Sequence, residues 1–185
     1  VVIPTYNNGK TLAAVIEEVC RYADDIIVVN DGSTDDTANI LEQYPAIRTI
    51  THPVNKGKGT ALKHGLSQAK KEGFRYAITI DSDGQHFASD IPCFIEAIEK
   101  EPDTLLVGAR NLASDNMPGK NTFANKFSNF WFRLETGLKL EDTQSGYRLY
   151  PLRKMNVQSC WYTAKYEFEL EAIVFAAWGD VAVKN

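Results

Sequence analysis

The chain has 185 residues, of which 44% are hydrophobic and 24% charged, and its formal net charge is −4. That length fills one core, and the balance is that of an ordinary globular protein. The acidic total argues against a nucleic-acid binder that works by neutralising phosphates, because such proteins need a basic surface.

In chain order, Val1-Val2-Ile3 is a short β-branched run closed by Pro4, and a Thr5-Tyr6-Asn7-Asn8-Gly9 turn follows. Leu12, Val15, Ile16 and Val19 then recur at helical spacing, with Thr11 as the expected N-cap. Residues 26–29 are a continuous apolar run, the mark of a strand buried on both faces. The run breaks at Asn30-Asp31-Gly32-Ser33, ahead of a helix carrying Ile40 and Leu41. A third strand is expected over 47–50, then a Lys56-Gly57-Lys58-Gly59 loop and a helical stripe of Ala61, Leu62, Leu66 and Ala69. Residues 76–80 read as a fourth strand, ending at Asp81-Ser82-Asp83-Gly84. Ser89-Asp90-Ile91-Pro92 starts a helix with proline in its first turn, and 104–107 give a fifth strand.

The polar stretch 113–122, with Pro118 and Gly119, predicts a mobile loop. Phe127, Phe130, Trp131 and Leu134 make an apolar stripe on a helix over 123–138, read first as a core face and second as a peripheral membrane contact. Glu167, Glu169 and Glu171 alternate in another predicted helix and cannot all share a face; Glu167 is the one expected to meet the site. Residues 181–185 read as a last strand. Cys20, Cys93 and Cys160 have neither metal-ligand spacing nor a disulfide framework, so buried filler in a reducing cytoplasm is expected. No apolar run approaches the roughly 20 residues of a membrane span. Both ends read as strands cut short, so the natural protein is expected to be longer.

The alternation of strands and helices predicts a single α/β domain over 1–185: a three-layer α/β/α sandwich with a mostly parallel central sheet. Ligands of such sheets bind at the carboxyl ends of the strands. Asp31 and Asp81 both fall at strand ends, so they should share one crevice.

Asp81 and Asp83, one residue apart after a buried strand, suit a hard divalent cation, Mg²⁺ or Mn²⁺, with substrate phosphate oxygens filling other positions. Gln85 and His86 follow closely enough to add a ligand or a phosphate contact. A departing nucleoside diphosphate needs such a cation, because negative charge develops on its phosphate. Asp31 can accept from a ribose hydroxyl or a base N–H, while Ser33 or Asp35 caps the next helix. The two glycines of the 56–59 loop let backbone amides approach an anion, and its lysines, Lys56 and Lys58, add charge. Asp142, in Asp142-Thr143-Gln144-Ser145-Gly146-Tyr147-Arg148, is the candidate general base for an acceptor hydroxyl.

Together these residues resemble glycosyltransferase family 2, inverting enzymes of the GT-A fold. The matching segments are Val2-Ile3-Pro4-Thr5-Tyr6-Asn7, the run 28–35 around Asp31, Asn55-Lys56-Gly57 and Asp81-Ser82-Asp83-Gly84-Gln85. The resemblance implies a donor-nucleotide site of Pro4, Tyr6, Asn7, Asp31, Lys56, Gly57, Asp81 and Ser82, and a metal held by Asp81, Asp83 and Gln85. Within the family the chain is most similar to dolichyl- and polyprenyl-phosphate sugar transferases, on Asp81-x-Asp83-x-Gln85, Gly108-Ala109-Arg110 and Ser145-Gly146-Tyr147-Arg148. There the acceptor is an ionised lipid phosphate, and Arg110, Lys120, Ser145 and Arg148 would meet it. Those relatives carry a second arginine and a serine after Arg110, where this chain has Lys120 and Lys126.

The resemblance thus implies a UDP- or GDP-sugar donor and a lipid-phosphate or saccharide acceptor, met at the cytoplasmic face of a membrane. The Gln-x-x-Arg-Trp signature of processive synthases is missing, which favours a single addition. A sugar-1-phosphate nucleotidyltransferase should carry a Gly- and Arg-containing loop after its first strand, and Thr5 to Gly9 is not that loop. A non-catalytic sugar-nucleotide-binding domain is the other alternative.

Overall fold

The structure, a computed structural model, describes residues 1–109, 136–137, 140, 142–155 and 167–185. Strands β1 (Val2–Thr5), β2 (Ile27–Asn30), β3 (Arg48–Thr51) and β4 (Tyr76–Thr79) alternate with helices α1 (Leu12–Val19), α2 (Thr37–Glu42) and α3 (Lys58–Lys71). Helix α4 (Ile91–Lys100), β5 (Leu105–Val107), β6 (Arg148–Pro151), α5 (Glu167–Trp178) and β7 (Val183–Lys184) follow. They form one seven-stranded sheet in the order β3-β2-β1-β4-β6-β5-β7. Among the described strands only β6 runs against its neighbours, β4 and β5; their other pairings are parallel.

The period of two along each strand builds the layers. Val2, Ile27, Val29, Ala77, Leu105 and Tyr150 enter one core with Leu62 and Leu66 of α3 and Phe168 and Ile173 of α5. Their neighbours Ile3, Val28, Ile78, Leu106 and Leu149 enter the other, against Leu12 and Ile16 of α1 and Ile91 and Phe94 of α4. A strand apolar on both faces must be covered on both, so the sheet lies between two helical layers, as expected from the sequence. Among the described residues no helix is long and apolar enough to cross a membrane.

Strand β1 lies inside the sheet, with β2 on one side and the central strand β4 on the other. Chain order reverses there, and such a switch point opens a crevice at the carboxyl ends of the strands. Asp31 follows β2 and Asp81 follows β4, so both acidic turns rise at that crevice.

Three local expectations differ. Thr11 occupies the N-cap position of α1 but makes no capping bond; its hydroxyl donates instead to the carbonyl of Ser82 at 2.6 Å. Cys20 and Cys93 are exposed rather than buried. The helices bury Leu12, Val15, Ile16 and Val19, and Ile91, Phe94 and Ile98, and each cysteine falls one or two places off its stripe. The third, Cys160, lies outside the described residues, as do the 113–122 loop and nearly all of the 123–138 helix.

Gly32 turns the chain out of β2 with φ +71°, and a Cβ there would lie 2.4 Å from the carbonyl carbon of Val54 and 2.6 Å from the amide of Asn55. A left-handed conformation costs an L-residue about 1 kcal/mol, and here the neighbour is backbone that cannot rotate aside. Gly32→Ala is therefore expected to lower stability by about 2 kcal/mol or more, read as a fall of several degrees in melting temperature.

Candidate active site

The two acidic turns meet. One cleft of about 560 Å³ is lined by Pro4, Thr5, Tyr6, Asn8, Asp31, Asn55, Gly57, Lys58, Asp81, Ser82 and Asp83. Polar crosslinks between loops hold its shape. The Asn7 amide donates to Ser33 Oγ at 3.0 Å, and its Oδ1 accepts the amide of Thr34 at 2.8 Å. Asn8 Nδ2 donates to Ser82 Oγ at 2.7 Å. Asp35 accepts the amides of Gly9 at 2.9 Å and Thr37 at 3.1 Å, tying the start of α2 to the loop before α1. Asn7 thus braces the wall rather than lining it, whereas the ring of Tyr6 is 44% exposed and stands at the cleft.

Asp31 is buried, and the protein already uses much of its carboxylate. Oδ1 accepts the amide of Lys56 at 2.9 Å and lies 2.6 Å from His52 Nδ1, while Oδ2 accepts the amide of Gly57 at 2.8 Å. Four lone-pair sites serve a carboxylate, so Asp31 fixes the 55–57 loop and keeps acceptor capacity for a ligand. His52 Nε2 in turn lies 2.7 Å from Nδ1 of His64. Burial, then the neighbouring His52 and Lys56, hold the His64 imidazole below its ordinary range. Lys56 contributes its backbone amide here, and its side chain is exposed.

Asp81 is paired closely with Lys58, whose Nζ lies 2.7 Å from Oδ1 and 2.9 Å from Oδ2. The same ammonium lies 2.9 Å from Glu169 Oε1, and His86 Nε2 lies 3.7 Å from Asp81 Oδ2. Burial alone would raise the Asp81 carboxyl, but His86 and Lys58 outweigh it and pull the group down to about 2. Burial would likewise lower Lys58, and Glu169 and Asp81 together hold it well above its ordinary range. The cleft therefore carries one ammonium between two carboxylates. Asp83 is exposed, with Oδ1 accepting the amide of Gln85 at 2.9 Å.

A second cleft of about 570 Å³ lies across the same turn, lined by Gln85, His86, Phe87, Phe94, Leu106, Val107, Gly108, Ser145 and Tyr147. Gln85 thus faces this cleft, while Asp81 and Asp83 face the first. Ser145 lines it too. Arg148, expected at the acceptor, is instead wholly buried and donates to the carbonyls of Ser145 at 2.7 Å, Thr143 at 2.9 Å and Glu169. Asp142 is also wholly buried, its Oδ1 accepting the amide of Gln144 at 2.9 Å, and it lines neither cleft. Arg110 and Lys120 lie outside the described residues.

Glu169 is the site residue that sequence reasoning missed, and for Lys58, read only as one of two lysines adding charge to the 56–59 loop, it missed the pairing with Asp81 and Glu169. Lys58 precedes Ala61 and Leu62, the buried stripe of α3, by three and four residues, so it points inward where Lys56 does not. Glu169 stands the same way before Ala172 and Ile173 on the buried stripe of α5, and Glu167 is exposed. Helical register was the available signal in both cases.

Residues 1–160 match the sequence profile of a family described as glycosyl transferase family 2. The UDP-N-acetylglucosamine–dolichyl-phosphate N-acetylglucosaminyltransferase of Methanococcus voltae is 32% identical over 196 residues, covering 95% of this chain and 78% of that protein. The polyprenol monophosphomannose synthase of Mycolicibacterium smegmatis is 28% identical over 160 residues, covering 81% of this chain and 60% of that one. Among solved structures, glucosyl-3-phosphoglycerate synthase from Mycobacterium tuberculosis superposes with a TM-score of 0.72 at 21% identity, over 99% of this chain and 67% of its own. That likeness carries the fold, which is the GT-A type. By profile and by relatives, the chain belongs to glycosyl transferase family 2.

Proposed function

We propose that this chain transfers one sugar, with inversion, from a nucleoside-diphosphate donor to the phosphate of a polyprenyl lipid, aided by Mg²⁺ or Mn²⁺. The observation that carries the reading is the single cleft joining Tyr6, Asp31, Asp81 and Asp83. The nucleoside fits beside Tyr6 and Asp31, and the diphosphate toward Asp81 and Asp83. Thr5 Oγ1 supports a ligand there: it lines the cleft, is buried and has no hydrogen-bond partner among the described residues. Buried hydroxyls rarely stay unpaired unless something else satisfies them.

The residues present fit a hard cation. Asp81 and Asp83 offer carboxylate oxygens from one turn, and among the described residues no group of three or more His, Cys, Asp or Glu side chains is arranged to hold a metal ion by itself. Mg²⁺ takes such a pair and completes its shell with water and substrate phosphate. When bound it would offset charge developing on the leaving diphosphate. The chain's own part is to position the donor, exclude water from its diphosphate and aim its anomeric carbon at the second cleft. The aromatic and aliphatic walls of that cleft suit an isoprenoid chain, and a lipid phosphate, already ionised, needs no strong base. This suits Asp142 being buried in its own turn. A lipid acceptor also places the reaction at a membrane face, on the cytoplasmic side where nucleotide sugars are made. The donor nucleotide is UDP or GDP; the relative at 32% identity is named for a UDP sugar.

Thermal-shift screening of nucleoside diphosphates with and without Mn²⁺ tests the reading. A stabilising ligand at a hundred times its Kd adds about 2.7 kcal/mol, so the matching diphosphate should raise the melting temperature by several degrees, and more with Mn²⁺. No shift with UDP or GDP would remove the donor assignment. Release of free sugar without transfer to polyprenyl phosphate would remove the acceptor.

A further inference from the structure

The half-buried ammonium of Lys58 is the feature that the donor reading leaves unused. It stands at the first position of α3, just after the Gly57 whose amide Asp31 holds. Its side chain is 20% exposed, beside Asp81 at 21% and Glu169 at 7%. Both carboxylates lie within 3 Å of it, yet they are held differently. Asp81 takes Lys58 on both oxygens and opens to the cleft. Glu169 Oε1 is sealed from solvent and meets the ammonium at 2.9 Å outside hydrogen-bond alignment. The loop above is pressed onto the pair: a Cβ at Gly146 would lie 2.5 Å from Asp81 Oδ2 and 2.8 Å from Lys58 Nζ.

A buried carboxylate without a counter-charge is costly. Glu169 therefore keeps Lys58 in the cleft whatever Asp81 does, whereas Asp81, nearer solvent, can exchange one cation for another. We propose that Lys58 is a resident counter-ion that competes with the divalent cation for Asp81, and that on donor binding the freed side of its ammonium contacts the diphosphate. The inference rests on the donor-site reading above. Charge supports it: Lys58 and the buried Arg148 guanidinium, which donates to the Glu169 carbonyl, balance Asp81 and Glu169, and Asp83 on the same turn leaves the group one negative charge. That is enough to attract a dication without expelling the lysine.

Opposite signs make the test. Lys58→Met, combined with Glu169→Gln so that no buried charge is stranded, should bind Mn²⁺ in the absence of nucleotide about tenfold more tightly than the parent, because Asp81 has lost its competitor. The same protein should bind metal-free UDP, or GDP if that is the donor nucleotide, about tenfold more weakly. Glu169→Gln alone leaves Lys58 to Asp81 undivided and should weaken Mn²⁺ binding several-fold. Calorimetry or the Mn²⁺ electron paramagnetic resonance signal reads each constant directly, and circular dichroism checks that each variant is folded. A merely structural lysine would move both variants in the same direction. Mn²⁺ affinity that is unchanged or weaker in the double variant overturns the proposal, as does absence of Mn²⁺ binding in all three proteins. If the parent binds neither UDP nor GDP, the donor reading fails while the opposed Mn²⁺ shifts remain measurable.

Discussion

Asp83→Ala is expected to lower turnover by roughly a thousandfold or more while leaving the melting temperature within about a degree of the parent. The two effects separate because Asp83 is exposed and its carboxylate accepts the amide of Gln85, a contact within its own turn. Loss of a surface carboxylate costs the fold about 0.5 kcal/mol or less. On the proposed reading, loss of a ligand to a cation on the diphosphate would remove part of a stabilisation worth several kcal/mol, and about 1.4 kcal/mol is tenfold in rate. Asp81 cannot give so clean a result. Its removal would leave Lys58 with Glu169 alone and alter the cleft before any chemistry is measured. Single-turnover transfer at saturating donor, repeated across a Mn²⁺ titration, distinguishes lost chemistry from lost affinity. Full turnover in Asp83→Ala would place the cation elsewhere, and undiminished parent activity in a strong chelator would remove it from the reaction.

How far the sequence carried depended on whether a residue's neighbours were local. The strands announced themselves because a run such as Ile27-Val28-Val29 must be covered on both faces, and the two cores divide those residues alternately. The shared crevice followed from strand ends alone, and Asp31 and Asp81 do line one cleft. Partners brought in from elsewhere in the chain were harder to see. Lys58 with Asp81 and Glu169, or Asp31 with His52, joins residues that only tertiary packing places together. The antiparallel β6 between β4 and β5 was equally hidden, since strand order is not written in periodicity. Thr11 shows a local rule losing to a distant partner: a good capping residue gives its hydroxyl to the carbonyl of Ser82.

Arg148 separates a residue that touches substrate from one that shapes the site, and Arg148→Met is expected to reveal the second kind. The guanidinium is wholly buried and donates to three carbonyls, those of Ser145, Thr143 and Glu169. It thereby joins the loop that carries Ser145 and Gly146 to the helix that carries Glu169. Methionine would fill similar space but remove one donor from each of three buried carbonyls, of which that of Glu169 keeps its place in the helix ladder, and each lost bond costs about 1–3 kcal/mol where nothing replaces it. Even with partial relaxation the loss should be about 3 kcal/mol, a fall of roughly 6–12 °C in melting temperature for a chain of this size. Arg148→Lys should recover only part of it, because a single ammonium cannot reproduce a planar fork of five donors. Activity at low temperature should fall in both donor affinity and turnover, since the loosened loop borders Asp81 and Lys58 on one side and the second cleft on the other. An acceptor contact would behave differently, raising the acceptor KM and leaving the melting temperature where it was. That result would move Arg148 from the frame of the site into the site itself.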